Sequence, residues 1–217
     1  MKIRTALAEF LGTALLAMAV VGSGVMATNL TKDVGLQLFI VAFATFLILA
    51  LIIQMFAPIS GAHFNPAVTL VTFINKGISL ATAIQYVLVQ VIGGFIGVVL
   101  ANVMFNLPAI GASTHSKTSS NLLLGEVIAT AGLILVIQIV SKQSDGRYVP
   151  IAVAGWIGSA YFFTSSTTFA NPAVTFARAF SDTFAGIEIN SVPGFVAAQL
   201  IGAVIGLAVA KGLSSER

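Results

Sequence analysis

The residues with chemistry to offer come as a matched pair. Asn65-Pro66-Ala67 and Asn171-Pro172-Ala173 each continue as Val-Thr. Asparagine is a favoured helix N-cap, and proline is at home at the first helical position, so each motif predicts a helix start. An asparagine that caps with its side-chain oxygen keeps its amide hydrogens for a passing oxygen atom. The helices after the motifs, over about 66–75 and 172–182, are too short to cross a bilayer. Ten or so residues at 1.5 Å each reach about half of a 30 Å hydrocarbon core. Two half-helices meeting N-terminus to N-terminus bring roughly +0.5 charge each to one point. Such a point repels cations, and a water held there donates both protons outward and breaks a proton wire. In a single copy the motif reads as a helix start and no more.

Two carboxylates, Glu9 and Glu126, lie inside apolar runs. Burial of an ionisable group in a membrane is costly, so each is a functional candidate by default, a proton relay being one option. His63 stands two residues before Asn65, and the other histidine, His115, falls in a predicted loop. That spacing makes no metal site, and hydrogen bonding within the loop before Asn65 is the expected role of His63. With no cysteine there is no disulfide or thiolate site. No nucleophile elbow, paired histidine ligands or phosphate loop is present, so neither an enzyme nor a cofactor is expected. The basic residues are scattered, which argues against nucleic acid.

The elements that must position these groups are membrane helices. The chain is 217 residues long, 58% hydrophobic and 8% charged. A soluble domain carries about 25% charged residues, so this chain belongs in lipid. Six apolar runs are long enough to span, at about 5–27, 35–57, 79–105, 121–141, 149–168 and 192–211. Lys2 and Arg4 before the first run resemble a secretory signal, with Val25-Met26-Ala27 as its cleavage site. Glu9 inside that run, its length and its counterpart later in the chain favour a retained span. With the N-terminus inside, Lys2, Arg4, Lys76, Lys142, Arg147, Lys211 and Arg217 are cytoplasmic, whereas only Lys32, Lys117 and Arg178 are outside. That is the positive-inside pattern.

The chain also repeats itself. Tyr86–Ala101 aligns with Phe195–Ala210, placing Gln90 on Gln199, Gly93 on Gly202 and Gly97 on Gly206. Glu9 is echoed by Glu126. Each half reads span, span, Asn-Pro-Ala segment, span. Three spans is an odd number, so the second half enters the membrane upside down. The glycines fit close helix packing.

Taken together, Ser60-Gly61-Ala62-His63-Phe64-Asn65-Pro66-Ala67-Val68-Thr69, Asn171-Pro172-Ala173, the two glutamates and the paired glycines resemble the aquaporin (major intrinsic protein) family over essentially the whole length. The resemblance implies an all-α integral membrane fold, a right-handed bundle of six spans and two re-entrant half-helices. It implies one channel domain over 1–217, with inverted halves at about 1–110 and 119–217. It also implies one pore per chain, a homotetramer, and a bacterial plasma membrane with both termini cytoplasmic. Glu9, Glu126 and His63 then support the loops that carry the half-helices.

The resemblance exposes a departure. Most members place arginine directly after the second Asn-Pro-Ala, as part of the narrowest point; here that residue is Val174. Family spacing puts the other filter positions at Thr45, Ser159 and Thr168. All four are small and uncharged, which predicts a widened pore for water, glycerol, urea or metalloid hydroxides such as arsenous acid. Arg178, four residues past Val174, is expected either to lend charge to the outer vestibule or to be a snorkelling or loop-capping arginine. A water-selective pore and, in another class, an ion-coupled transporter are the competing expectations. Among the aromatic residues, Phe43, Phe46, Phe162, Phe163 and Phe169 are expected to pack or face lipid, unless one leans into the pore.

Overall fold

Inside lipid only a helix satisfies its own backbone groups, so each apolar run closes into one. The computed structural model describes residues 3–214, and Lys2 and Arg217 of the charge bias lie outside the described residues. The long helices are α1 (Ile3–Leu30), α2 (Val34–Ser60), α4 (Leu80–Met104), α5 (Ser120–Val140), α6 (Val149–Phe163) and α8 (Val192–Ser214). Two short ones, α3 (Pro66–Ile74) and α7 (Pro172–Ala177), come directly after the asparagines. Five of the long helices have the length and apolarity to cross a membrane. Their outward faces fit lipid: on α2, Phe39, Phe43, Leu47, Leu51 and Met55 recur every four residues and are all exposed. Asp33 caps α2 by accepting from the Leu36 amide, and Ser79 caps α4 by accepting from Thr82.

The fifth span is shorter than its apolar run predicts. The run extends over 149–168, but α6 ends at Phe163 after 15 residues, about 22 Å of helix. The loop beyond Phe163 is the reason. Residues 164–171 must turn back to bring Asn171 inside, and Thr167, Thr168 and Ala170 take left-handed backbone to do so, with φ of 59°, 54° and 46°.

The two halves use the same packing device. α1 lies along α4, and α5 along α8. Gly93 and Gly97 face the carbonyls of Phe10 and Ala14, while Gly202 and Gly206 face those of Val127 and Ala131. A β-carbon at Gly97 would land on the Ala14 carbonyl itself. α2 joins the halves by packing on both α1 and α6.

Candidate functional site

Each half-helix begins as its sequence requires. Asn65 Oδ1 accepts from the Ala67 amide at 2.9 Å, and Asn171 Oδ1 from Ala173 and Val174 at 3.1 and 3.3 Å. α3 runs for nine residues; α7 runs for six and tightens into a 3-10 turn over Arg178–Phe180. The second half-helix is therefore shorter as a true α-helix than the stretch to 182 suggested, because a 3-10 turn takes over at Arg178.

The asparagine amides are partly committed, a feature the sequence did not disclose. Asn65 Nδ2 donates to the Ala170 carbonyl at 2.7 Å, and Asn171 Nδ2 donates to the Phe64 carbonyl at 2.8 Å. Each loop thus locks the opposite motif. Of the two amide hydrogens on each side chain, one closes this cross-link and one is left for the cavity.

The glutamates hold those loops from behind. Glu9 accepts from Ser60 Oγ, the His63 and Phe64 amides and Gln90 Nε2, at 2.6 to 3.0 Å. Glu126 accepts from the Phe169 and Ala170 amides and Gln199 Nε2, at 2.6 to 2.9 Å. Both side chains are fully buried. Phe64 and Ala170, each one residue before its asparagine, have φ of 49° and 46°. Such backbone is strained in a non-glycine residue and persists only when its surroundings fix it. The carboxylates do so. Glu126→Ala should strand two buried amides, each at about 1–3 kcal/mol. Thermal melting in detergent should fall clearly, and Glu126→Gln, which keeps one acceptor oxygen but sets an N–H donor against the Phe169 or Ala170 amide, should melt between Glu126→Ala and wild type; a Glu126→Gln protein that melts with the wild type yet conducts nothing would instead favour a proton relay. His63 sits in the same frame, its Nδ1 3.1 Å from Thr69 Oγ1 and its ring 5.0 Å from that of Tyr86.

A cavity of about 290 Å³ runs past both asparagines. Ala57, Pro58, His63 and Arg147 line one end, and Thr45, Thr168, Val174 and Arg178 also form its wall. Glu9 and Glu126 are not among the lining residues.

A family model described as Major intrinsic protein matches residues 1–168. The chain belongs to this family. The aquaglyceroporin AqpS of Rhizobium meliloti (strain 1021) is 44% identical over 97% of this chain and 90% of its own length. Aquaporin TIP1-1 of Arabidopsis thaliana is 31% identical over 82% of this chain and 75% of its own. The X-ray structure of the aquaglyceroporin from Plasmodium falciparum superposes with a TM-score of 0.74, covering 95% of this chain and 94% of that one at 20% identity. That likeness gives the all-helical integral membrane fold independently of sequence.

Three of the four filter positions carried over from the family meet in the cavity of this major intrinsic protein, and Ser159 does not. Ser159 is exposed, and its hydroxyl turns back to the Trp156 carbonyl at 2.9 Å. The wall of α6 includes Val153, Ile157 and Tyr161, spaced by four. Ser159 is two residues from each of the last two, about 200° round the helix, and so faces outward. The residue that sequence reasoning missed is Tyr161, whose hydroxyl lies 3.1 Å from Thr45 Oγ1. The four-residue spacing of Val153, Ile157 and Tyr161 was the available signal. Ser159→His should leave solute flux unchanged in vesicles; a flux lowered several-fold would return Ser159 to the pore.

Among the phenylalanines, Phe43, Phe162 and Phe163 are exposed and Phe46 packs against Gly158, whereas Phe169 is buried at the cavity wall. Arg178 does not snorkel but does cap a loop, its Nε donating to the Ala185 carbonyl. It is 4% exposed, with its Cζ 3.4 Å from the centre of the Phe169 ring. Outside the spans, Thr114 donates from its amide and hydroxyl to Asp182 at 2.9 and 3.0 Å, and these bonds hold the carboxyl below its ordinary range. A depressed carboxylate contributes its tie at neutral pH and loses it as pH falls through the depressed value. Amide exchange at Thr114 should therefore gain protection lost only in strong acid.

Proposed function

We propose that this chain is a passive channel for water and small uncharged solutes of glycerol size, namely glycerol, urea or undissociated metalloid hydroxides such as arsenous acid. The supporting observation is the cavity wall: Thr45, Thr168 and Val174 line it, with an uncharged valine where the family usually carries arginine. Tyr161 replaces Ser159 in that set. The two asparagines at the waist each keep one amide hydrogen for a passing oxygen, and the converging half-helix ends disfavour cations. The name of the Rhizobium relative, an aquaglyceroporin, agrees with this reading.

The working unit in this reading is one channel domain of two inverted halves, about 1–110 and 119–217. It assembles as a homotetramer in a bacterial plasma membrane, with both termini cytoplasmic as the lysine and arginine bias favours. Coupled transport is disfavoured because both buried glutamates are spent on loop amides and stand clear of the cavity. Water selectivity is the second reading, and Tyr161 favours it by filling part of the wall.

Stopped-flow light scattering on proteoliposomes, with water and glycerol under matched gradients, decides between them. Fast flux of both supports the wider pore. Fast water with glycerol excluded overturns it in favour of the water-selective reading.

A further inference from the structure

We infer that Arg178, one helical turn after Val174, is the residue that excludes cations, supplying from a different position the charge that Val174 lacks. The inference rests on the proposed channel function and assigns a specificity-determining residue within it.

Arg178 is both buried and without a counter-ion. It is 4% exposed, yet among the described residues the one acid–base contact joins His115 to Asp182. A guanidinium taken out of water without a counter-ion is strongly disfavoured. It is tolerated here because the side chain lines the cavity, where permeating water solvates it.

The side chain is also fixed in place. Its Nε donates to the Ala185 carbonyl, and its plane is backed by Phe169, with Cζ 3.4 Å from the ring centre. Cation–π contact and hydrogen bond together hold the group against the wall. Guanidinium carries five N–H donors. One is used, and the terminal nitrogens have no hydrogen-bond partner among the described residues and are not among the buried atoms lacking one. They are therefore open to the cavity, as donors to an oxygen-bearing solute. Lys117 adds a second cation 5.8 Å from the same ring.

The displacement along the pore matters physically. Four residues of helix place the Arg178 backbone about 6 Å beyond Val174, and its guanidinium lies on Phe169, next to Thr168 of the wall. At that range a full charge still governs a cation at the constriction. With an effective dielectric of 20 to 80, one unit charge at about 6 Å changes cation occupancy by roughly three- to a hundred-fold. A glycerol-sized neutral solute then passes while hydronium and small ammonium ions are turned back.

The test uses the full-length protein in proteoliposomes, with proton and methylammonium entry measured alongside glycerol flux. Arg178→Met should raise cation entry by about three- to a hundred-fold and leave glycerol flux within about two-fold. Arg178→Lys, which keeps the charge, should keep cation entry near wild type. If Arg178→Met does not fold, Arg178→Gln replaces it, since the amide preserves a donor for Ala185. A folded neutral variant with wild-type cation exclusion overturns the inference, as does equal leakage in the neutral and lysine variants, which would make shape the cause. Absence of glycerol flux in the wild type would instead sink the wider-pore reading, and the cation measurements would still report on Arg178.

Discussion

Val174→Arg should cut glycerol flux by at least about ten-fold, equivalent to about 1.4 kcal/mol on the barrier, with water flux reduced less. Val174 is the third residue of α7, 3% exposed, and part of the cavity wall with Thr45, Tyr161 and Thr168. A longer side chain at that point has one free direction, into the lumen, because α7 is packed behind it against α4 and α8. Electrostatics pushes the same way. A second guanidinium one turn from Arg178 meets it at about 6 Å, where like charges repel by about 3 kcal/mol at an effective dielectric of 20. The new arginine relieves this by leaning across the pore. Val174→Met separates the causes, since it adds length without charge. Stopped-flow glycerol uptake should rank wild type above Met above Arg. A folded Val174→Arg channel with undiminished glycerol flux would remove Val174 from the filter.

The sequence disclosed the scaffold better than the wall of the pore, for a physical reason. Six apolar runs, two Asn-Pro-Ala segments and the paired glycines are local signals, and each maps onto an element at its own position: Gly97 and Gly206 both sit at helix crossings. Glu9 and Glu126 were legible because a carboxylate in an apolar run needs an explanation wherever it falls. Ser159 was misplaced because a family spacing transfers only if the helix keeps its phase. One or two residues of drift turn a side chain by about 100 or 200°, from lumen to lipid. Tyr161 went unassigned, and Phe169 was grouped with phenylalanines expected to pack or face lipid, because an aromatic residue in an apolar run looks the same whether it faces lipid, core or pore. The bonds from Asn65 to Ala170 and from Asn171 to Phe64 join positions more than a hundred residues apart, so no local pattern could announce them.

Gly97→Ala should destabilise the protein by about 3 kcal/mol or more, as overpacking of a rigid contact does. In any ordinary helix the change would help, by about 1 kcal/mol, because alanine is the better helix former. The sign reverses here because the added β-carbon falls on the Ala14 carbonyl, which belongs to backbone and cannot rotate away. Nor can α1 simply retreat. Gly93 makes the same approach to Phe10 one turn earlier, so relief at Gly97 opens the whole α1–α4 seam. That seam carries Glu9 and Gln90, which are bonded to each other and to the first re-entrant loop. Loss of packing between two spans should therefore reach the pore as loss of the Asn65 position. Gly206→Ala should behave alike through Ala131, Glu126 and the second loop. Gly155→Ala is the control, since a β-carbon there meets nothing within 4 Å, and it should melt at or above wild type. Melting in detergent, followed by retention of the folded fraction on size exclusion, reads all three. A Gly97→Ala protein as stable as Gly155→Ala would mean that the α1–α4 contact is looser than the helix spacing implies, and that something other than this seam fixes the first loop.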